Sequence, residues 1–578
     1  MLKTYSAKRS PFKFKVFSLI AVIGLLNTLL AANSFAGNKK HFKAEIVLTE
    51  SGPVQGVPTF YGYQYLGVPY AASPEGDLRW SAPVDPEVWS EPLVADSFGP
   101  NCPQTASPFG LPSVSEDCLT LNIYQPRDFY LRKHSRGFFS LYRDQLNQDL
   151  SNKNNAYQKL LKHQSKKRLK PVMVWIHGGA FQYGEGQDWD PAKLVKQGVV
   201  VVTLNYRLGA LGFLAHPALS EDSANNVSGN YGILDQQKAL RWVQKNIARF
   251  GGDPDNVTIF GESAGGLSVH THLVSPDSEG LFHRAIIQSG AYALAPPELS
   301  NWELFGTSIA ATMGCSDQAT EQTLECLRNL SVEEILDGQD PGAVGYLPNV
   351  DGLTLPMTIV SALQTGQFHR VPVIQGSNAN EYTLFASLLF ELAGSPITEE
   401  FYPTAINVGL GIPEEAIPLV TAQYPLENYE SPAEALAAIG TDVLFACPAQ
   451  TSAQLLSQYV PTYSYEFNDK NAPQIYLPPV NFPYGAYHVA EVQYLMEPKN
   501  PFPIEPLNRK QRRLSRQMVN YWTSFARFGL PLHHAAPFWN SYDANSQTVQ
   551  SLQPPRINST SNFNLRHKCD FWAGLMAQ

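Results

Sequence analysis

Six short apolar segments, each followed by a stretch of helical pattern, constrain the fold more than any other feature of this sequence. The segments span residues 172–176, 199–204, 257–260, 285–287, 371–374 and 463–467. Strands that are apolar along their whole length are typical of parallel sheets covered by helices on both faces. The alternation therefore predicts an α/β fold with a large, mostly parallel central sheet.

Two helices stand out by their periodicity. Between Asp235 and Gly251 the apolar residues recur every three to four positions, and Gly251 with Gly252 predicts the end of this helix. A second apolar stripe runs from Leu514 to Phe528 and stops at Gly529. A chain of 578 residues could hold several domains, but no repeat and no Gly/Ser-rich or Pro-rich linker divides it. We therefore expect residues 37–578 to form one domain with long insertions.

Residues 1–36 have the pattern of a secretory signal peptide. Five Lys and Arg precede an apolar run at 16–32, and Ser34-Phe35-Ala36 offers small residues at the positions of a cleavage site. A membrane anchor is the alternative, but Asn27 and Thr28 interrupt a run that is already short for crossing a bilayer. We expect a secreted or periplasmic protein, in whose oxidising surroundings the six cysteines can form disulfides.

One segment differs sharply in charge from the rest of the chain. From Arg127 to Lys170 there are twelve Lys and Arg against three Asp, a net charge of +9 in a chain whose net charge is −9. No nucleic-acid-binding module accompanies these charges, so we expect no nucleic-acid partner. Residues 128–169 are read as a basic insertion. It is either a solvated loop or a contact with an anionic surface, and in both cases it concerns location rather than substrate.

The pentapeptide Gly261-Glu-Ser-Ala-Gly carries the chemistry. It lies between the apolar segment 257–260 and a helical pattern that begins at Gly266. A Gly-x-Ser-x-Gly sequence in this context predicts a nucleophile elbow that exposes the Ser263 hydroxyl at the carboxyl edge of the sheet. The alternative is an ordinary strand-to-helix turn with a capping serine.

A serine hydroxyl needs a general base, itself oriented by an acid, and in elbow hydrolases these follow in the order Ser, acid, His. His488 follows the apolar segment 463–467, which places it at the same sheet edge as Ser263; the alternatives are the His533-His534 turn and the cysteine-flanked tail. Glu381 follows the segment 371–374, whereas Asp442 begins a helical pattern where it could act as a cap. We favour Glu381 as the acid.

The negative charge that develops on an attacked carbonyl oxygen requires N–H donors. His177-Gly178-Gly179-Ala180 ends the segment 172–176, as in the glycine-rich loops that supply such donors together with the residue after the nucleophile. Gly178, Gly179 and Ala264 are the predicted oxyanion hole. A phosphate cradle is disfavoured because no Lys-Ser/Thr follows the glycines.

With these motifs the chain resembles the type-B carboxylesterase/cholinesterase family of α/β-hydrolases. The matching stretches begin at Tyr65-Leu-Gly-Val-Pro-Tyr and end at His567-Lys-Cys-Asp-Phe-Trp, and they include Ser115-Glu-Asp-Cys-Leu-Thr-Leu-Asn, Asn205-Tyr-Arg-Leu-Gly and Phe250-Gly-Gly-Asp-Pro. The resemblance implies an α/β-hydrolase fold and Ser263, Glu381 and His488 as nucleophile, acid and base. It also implies buried ion pairs of Arg79 with Glu116 and of Arg207 with Asp235.

The resemblance further implies three disulfides, Cys102 with Cys118, Cys315 with Cys326, and Cys447 with Cys569. Cholinesterases carry within the first of these loops a tryptophan that binds choline through cation–π attraction, and this loop has none. Choline esters are therefore disfavoured, and so short a loop is a poor lid for a lipase. Members of the family usually have glycine after the catalytic histidine, whereas Val489 follows His488 here.

The sequence thus predicts a secreted serine carboxylesterase that acts on small-molecule esters through an acyl-enzyme and uses no metal or cofactor. A lipase and a catalytically inactive adhesion-type member of the same fold are the alternatives. Glu262 and Ser268 are predicted to lie close to the catalytic residues or to serve packing and capping. The sequence leaves the natural substrate and the oligomeric state open.

Overall fold

The computed structural model describes residues 45–127, 169–315, 320–339, 345–499 and 505–576. The predicted signal peptide 1–36 and residues 128–168 of the predicted basic insertion lie outside these ranges. In the described ranges, no helix combines the length and the apolar character that crossing a membrane requires.

An eleven-stranded sheet organises the described chain, in the order β16-β15-β13-β12-β11-β10-β7-β9-β6-β4-β3. The strands from β9 to β15 in this order are parallel, and the remaining pairs at the two sides are antiparallel. The strands of the described chain, within this sheet and outside it, are β1 Ile46–Leu48, β2 Pro53–Gln55, β3 Val57–Pro58, β4 Gly62–Pro69, β5 Leu93–Val94, β6 Thr120–Pro126, β7 Lys170–Ile176, β8 Trp189–Asp190, β9 Val200–Leu204, β10 Gly252–Glu262, β11 Arg284–Gln288, β12 Val373–Asn378, β13 Thr462–Phe467, β14 Glu497–Pro498, β15 Val549–Leu552 and β16 Asn558–Thr560. The predicted α/β fold with a mostly parallel sheet is confirmed.

Helices cover the sheet on both sides. They are α1 Ala192–Val195, α2 Gly209–Phe213, α3 Pro217–Asp222, α4 Tyr231–Asn246, α5 Ala264–Val274, α6 Leu299–Thr312, α7 Thr320–Asn329, α8 Val332–Gly338, α9 Ile359–Thr365, α10 Thr383–Ala386, α11 Tyr402–Leu410, α12 Ile417–Gln423, α13 Pro432–Gly440, α14 Cys447–Ser457, α15 Val492–Leu495, α16 Arg509–Phe528, α17 Phe563–Arg566 and α18 Cys569–Met576. Two further segments, Ser387–Glu391 and Thr441–Ala446, are π-helical.

The core lies on both faces of the sheet, as the continuous apolar strands predict. Along β7, Val172 and Val174 belong to one buried cluster, whereas Met173 and Trp175 belong to another on the opposite face. Burial of each such side chain contributes about 1.5–3 kcal/mol. A strand with one polar face could not supply both clusters, so the sheet must be covered on both sides.

The two predicted helices are present, with different starting points. Helix α4 begins at Tyr231 and its last turn, Ile247–Phe250, is a 3₁₀ turn closed by Gly251 with φ of 78°. Helix α16 begins earlier than its apolar stripe because Asn508 and Gln511 form a capping box, and it ends at Gly529 in the left-handed conformation. The capping box precedes the first core-facing residue, so periodicity alone placed this start too late.

The buried ion pairs implied by the resemblance are formed. Arg79 donates to both carboxylate oxygens of Glu116, and Arg207 donates Nε–H and one guanidinium N–H to Asp235, each over 2.8 Å. The structure also joins the six cysteines in the three implied pairs, Cys102–Cys118, Cys315–Cys326 and Cys447–Cys569.

Replacing Arg207 by methionine tests what the buried ion pair contributes. Asp235 is fully buried and would lose its counter-charge, so we expect R207M to lower the free energy of unfolding by about 3–5 kcal/mol in a urea titration. The matched control is K245M, which removes the half-exposed partner of Glu50 and should cost less than about 1 kcal/mol. Equal losses in the two variants would contradict a special cost of the buried charge.

Candidate active site

Ser263 lies in a strained turn between β10 and α5. Its φ of 57° and ψ of −123° are unusual for a residue with a side chain, and its amide donates to Gln288 O of the neighbouring strand β11 over 2.9 Å. A Cβ on Gly265 would lie 2.0 Å from Ile176 O, and one on Gly261 would lie 2.5 Å from the backbone of Gly265. Backbones packed this closely leave room only for glycine on either side of the serine, so the local geometry is that of a nucleophile elbow.

His488 and Glu381 are in direct contact. Nδ1 of the imidazole lies 2.6 Å from Oε2 of the carboxylate, and both side chains are buried. The other carboxylate oxygen of Glu381, Oε1, accepts from the backbone N–H of Asn378 over 2.6 Å and from the Ser289 hydroxyl over 2.5 Å. Because a carboxylate only accepts, Nδ1 of the neutral imidazole carries the proton and the lone pair is on Nε2. The contact fixes both the tautomer and the orientation that a general base needs.

Glu262, the residue before Ser263, contacts the other edge of the imidazole. Its Oε1 lies 3.2 Å from Nε2 of His488, in a geometry that makes no hydrogen bond with any described residue. Burial opposes protonation of His488, but the charges of Glu262, Glu381 and Glu491 and the hydrogen bond to Glu381 raise its pKa to about 9. Burial raises the pKa of Glu262 to about 8, partly offset by His488. The ionisation of His488 and that of Glu262 are therefore linked.

A third acid, Glu491, lies behind this group. It is fully buried, accepts from Gln288 Nε2 over 2.9 Å and from Asn378 Nδ2 over 2.6 Å, and burial raises its pKa. Asn378 thus binds Glu381 through its backbone N–H and Glu491 through its side-chain amide. These contacts connect the ends of β11 and β12 to the loop that carries His488.

Two phenylalanines contact the imidazole of His488. The ring centroids of Phe385 and Phe445 lie 5.1 Å and 5.0 Å from that of the imidazole. The two phenyl rings stack on each other at 5.7 Å. Phe385 lies on α10, which begins two residues after Glu381. Phe445 lies on the π-helical turn Thr441–Ala446. The imidazole of His488 is therefore held by packing as well as by Glu381.

The turn after β7 lies against the elbow. A Cβ on Gly178 would lie 3.1 Å from the Ser263 Cβ, so this backbone passes directly beside the Ser263 side chain. Gly179, Ala180 and Phe181 have positive φ values of 99°, 54° and 58°. These successive residues form a left-handed turn, in which the amides of Gln182 and Tyr183 donate to Gly179 O.

Among the described residues, no hydrogen bond is formed by the amides of Gly178, Gly179, Ala180 or Ala264. Ala180 thus shares with the three predicted donors an amide that has no hydrogen-bond partner among the described residues. Nothing in the sequence indicated that Ala180, which is not a glycine, would adopt a positive φ in this turn.

His177 shapes this turn without taking part in proton transfer. Its Nδ1 lies 2.8 Å from Gly178 O, and its ring stacks on Tyr206 at 4.4 Å. The Tyr206 hydroxyl donates to His177 O over 3.0 Å. Burial lowers the pKa of His177 to about 4, so the ring is neutral at the pH at which a base of the His488 type works.

Val489, where the family usually has glycine, adopts φ of 70°. A β-branched residue in this region is an outlier, and such strain costs about 1–3 kcal/mol. The backbone conformation that glycine would favour is thus kept despite the side chain. The loop therefore presents His488 in the expected way.

The other residues considered from the sequence lie elsewhere. Asp442 and His567, the alternative acid and base, bind each other rather than Ser263, over 2.5 Å. Ser268 donates to Ala264 O and accepts from Gln236, which is a helix-packing role. Ser289 and Glu491 were missed. The position of Ser289 directly after β11 could have indicated it, whereas nothing in the pattern singles out Glu491.

Comparison with known proteins gives a consistent result. The sequence model of the "Carboxylesterase family" matches residues 43–572. The chain is 34% identical over 525 residues to pyrethroid hydrolase Ces2e of Rattus norvegicus, covering 85% of this chain and 82% of the relative. It is 32% identical to para-nitrobenzyl esterase of Bacillus subtilis (strain 168), covering 88% and 94%. A solved thermophilic PNB esterase superposes with a TM-score of 0.71 at 29% identity, covering 92% of this chain and all of the other.

Replacing Gly265 by alanine tests the elbow geometry. The added methyl group would overlap Ile176 O, and neither backbone can move without disrupting the sheet, so we expect G265A to lose about 2–3 kcal/mol or more of stability. The control is G574A in α18, where nothing lies within 4 Å of an added Cβ. Thermal unfolding measures both. A G265A variant as stable as G574A would contradict the described packing.

Proposed function

Because the chain belongs to the carboxylesterase family and is a carboxylic ester hydrolase of the α/β-hydrolase fold, we propose that it hydrolyses esters through an acyl-enzyme formed on Ser263. Glu381 and His488 complete the proposed triad. The observation that carries this proposal is the 2.6 Å contact of the Glu381 carboxylate with Nδ1 of an imidazole whose Nε2 edge faces the residue next to Ser263.

The first half of the reaction transfers the acyl group to the enzyme. Ser263 Oγ attacks the carbonyl carbon while Nε2 of His488 takes the hydroxyl proton, and Glu381 stabilises the imidazolium that forms. The tetrahedral intermediate collapses when the bond from carbon to the alcohol oxygen breaks. His488 gives its proton to the departing alcohol, which leaves the acyl group on Oγ.

Water reverses these steps in the second half. His488 takes a proton from water, the resulting hydroxide adds to the acyl carbon, and the imidazolium returns the proton to Ser263 Oγ as the acid leaves. In both halves the negative oxygen is stabilised by amides of the turn after β7 and of the first residue of α5. Gly178, Gly179 and Ala264 are the donors proposed from the sequence, and the positive φ values favour Ala180 as a further one.

We propose that the protein acts on small-molecule esters and that it is exported from the cytoplasm. The names of the relatives describe a hydrolase of pyrethroids and an esterase of para-nitrobenzyl esters, both small esters. The signal-peptide pattern and the three disulfides support a secreted or periplasmic protein. The mature chain, from about residue 37, is proposed to be one catalytic domain.

Hydrolysis of p-nitrophenyl acetate by S263A tests the nucleophile. Without the hydroxyl no acyl-enzyme forms, so we expect kcat to fall by at least about 10⁴-fold. S308A is the control because this exposed serine of α6 only donates to Phe305 O. Full activity of S263A would exclude the proposal, and full activity of S308A shows that loss of a hydroxyl alone has no effect.

Replacing Glu262 by glutamine tests the electrostatics of the base. The base must be neutral to accept a proton, and the charge of Glu262 raises the pKa of His488. In E262Q that charge is absent, so the pKa falls and the acidic limb of the kcat/KM profile should move to lower pH by about one unit or more. An unchanged limb, or a limb moved to higher pH, would show that Glu262 does not control the ionisation of His488.

A further inference from the structure

A second buried imidazole lies between two carboxylates, away from Ser263. Nδ1 of His567 is 2.5 Å from Asp442 Oδ1, and Nε2 is 2.8 Å from Glu466 Oε1. All three side chains are buried. With a carboxylate at each nitrogen, both nitrogens must donate, and only the imidazolium form of histidine can do so.

The surrounding groups complete a charge-balanced network. Arg566 donates to the second oxygen of Glu466 over 2.7 Å, and the Tyr424 hydroxyl donates to the second oxygen of Asp442 over 2.6 Å. Two cations thus face two carboxylates. A further charged neighbour is Lys568, whose Nζ lies over the Tyr424 ring at 4.1 Å. Burial opposes protonation of His567, but hydrogen bonds and charges of Asp442 and Glu466 raise its pKa to about 9.

Asp442 lies on the π-helical turn Thr441–Ala446, which reaches the active site at two points. Thr441 Oγ1 accepts from the amide of Tyr382, the residue after Glu381, over 3.1 Å. Phe445 packs on the imidazole of His488 with ring centroids 5.0 Å apart. π-helical turns interrupt regular helices and commonly occur at functional sites. One short segment therefore contacts His567, the residue that follows the proposed acid, and the proposed base.

We propose that His567 is a positioning residue for ester hydrolysis, acting through Asp442 and the turn 441–446 to hold Phe445 against His488. This inference rests on the proposed function, since it assumes that His488 is the general base. His567 touches none of the reacting groups. Its effect on the reaction passes through the turn.

The physical reason is the cost of an unbalanced buried charge. Without the imidazolium, Asp442 and Glu466 retain Arg566 as their cation, and its described hydrogen bonds go to Glu466 and Asn562 rather than to Asp442. An uncompensated buried carboxylate is strongly unfavourable, so Asp442 would turn toward water and displace the segment that carries Phe445. Displacement of a supporting group by about 1 Å reduces catalytic rates by up to about 100-fold.

Replacing His567 by glutamine tests this link. We expect kcat for p-nitrophenyl acetate to fall about ten-fold with KM changed less than about two-fold, because the turn supports the base rather than a binding pocket. A loosened Phe445 admits water to His488, and water weakens the effect of the carboxylates that raise its pKa above the ordinary value. The acidic limb of the kcat profile should therefore move to lower pH. H369Q is the matched control, since His369 is a partly buried imidazole bonded to Ser275 O.

A double variant shows whether the effect passes through Phe445. If it does, F445L alone lowers kcat and the addition of H567Q lowers it little further, so the two effects are not multiplicative. All assays are made well below the unfolding temperature of each variant. If H567Q does not fold, D442N removes the negative charge of the same ion pair from the other side and leaves Glu466 with Arg566.

Unchanged kcat and an unchanged pH profile in folded H567Q or D442N would overturn the inference, and so would multiplicative losses in the double variant. S263A separates this failure from failure of the proposed function. If S263A is inactive and H567Q is fully active, only the positioning role is wrong. If S263A is fully active, the proposed triad itself is wrong.

Discussion

The close approach of three backbones around Ser263 is the constraint on which the rest of the site depends. The end of β7, the end of β10 and the start of α5 meet at distances that exclude a Cβ at Gly261 and Gly265. This contact fixes the positive φ of Ser263 and places the turn that follows β7 beside the proposed nucleophile. Because the strands are parallel, the loops after β12 and β13 reach the same edge. The sheet thus brings together residues more than 200 positions apart.

Three buried carboxyl groups surround His488, which is more than the one acid that the proposed triad uses. Glu381 contacts one ring nitrogen, Glu262 faces the other, and Glu491 lies behind them. Each carboxylate favours the imidazolium, the form that develops in the transition state, and burial opposes it. The balance between these effects decides at which pH the base is available. The site is therefore an electrostatic unit. Glu491, which makes no described contact with His488, still favours its protonated form.

Much of this arrangement could be predicted from the sequence because it follows from local rules. Continuous apolar strands indicate the parallel sheet, and the position of Ser263, Glu381 and His488 after such strands indicates a common edge. The contacts between distant loops could not be predicted in this way. Nothing in spacing or periodicity relates Glu491 to Gln288, or Asp442 to His567. These pairs depend on how segments pack after the sheet has formed, and the early start of α16 shows the same limit for a cap that precedes the apolar stripe.

A crystal structure of the protein after reaction with a phosphonate ester tests the central claim most directly. We predict phosphorus bonded to Ser263 Oγ and Nε2 of His488 within hydrogen-bond distance of an oxygen on phosphorus. The phosphonyl oxygen should accept from amides of the proposed donors, which are Gly178, Gly179, Ala180 and Ala264. Phosphorus on any other residue, or a His488 that has left Glu381 and lies out of reach of the adduct, would contradict it.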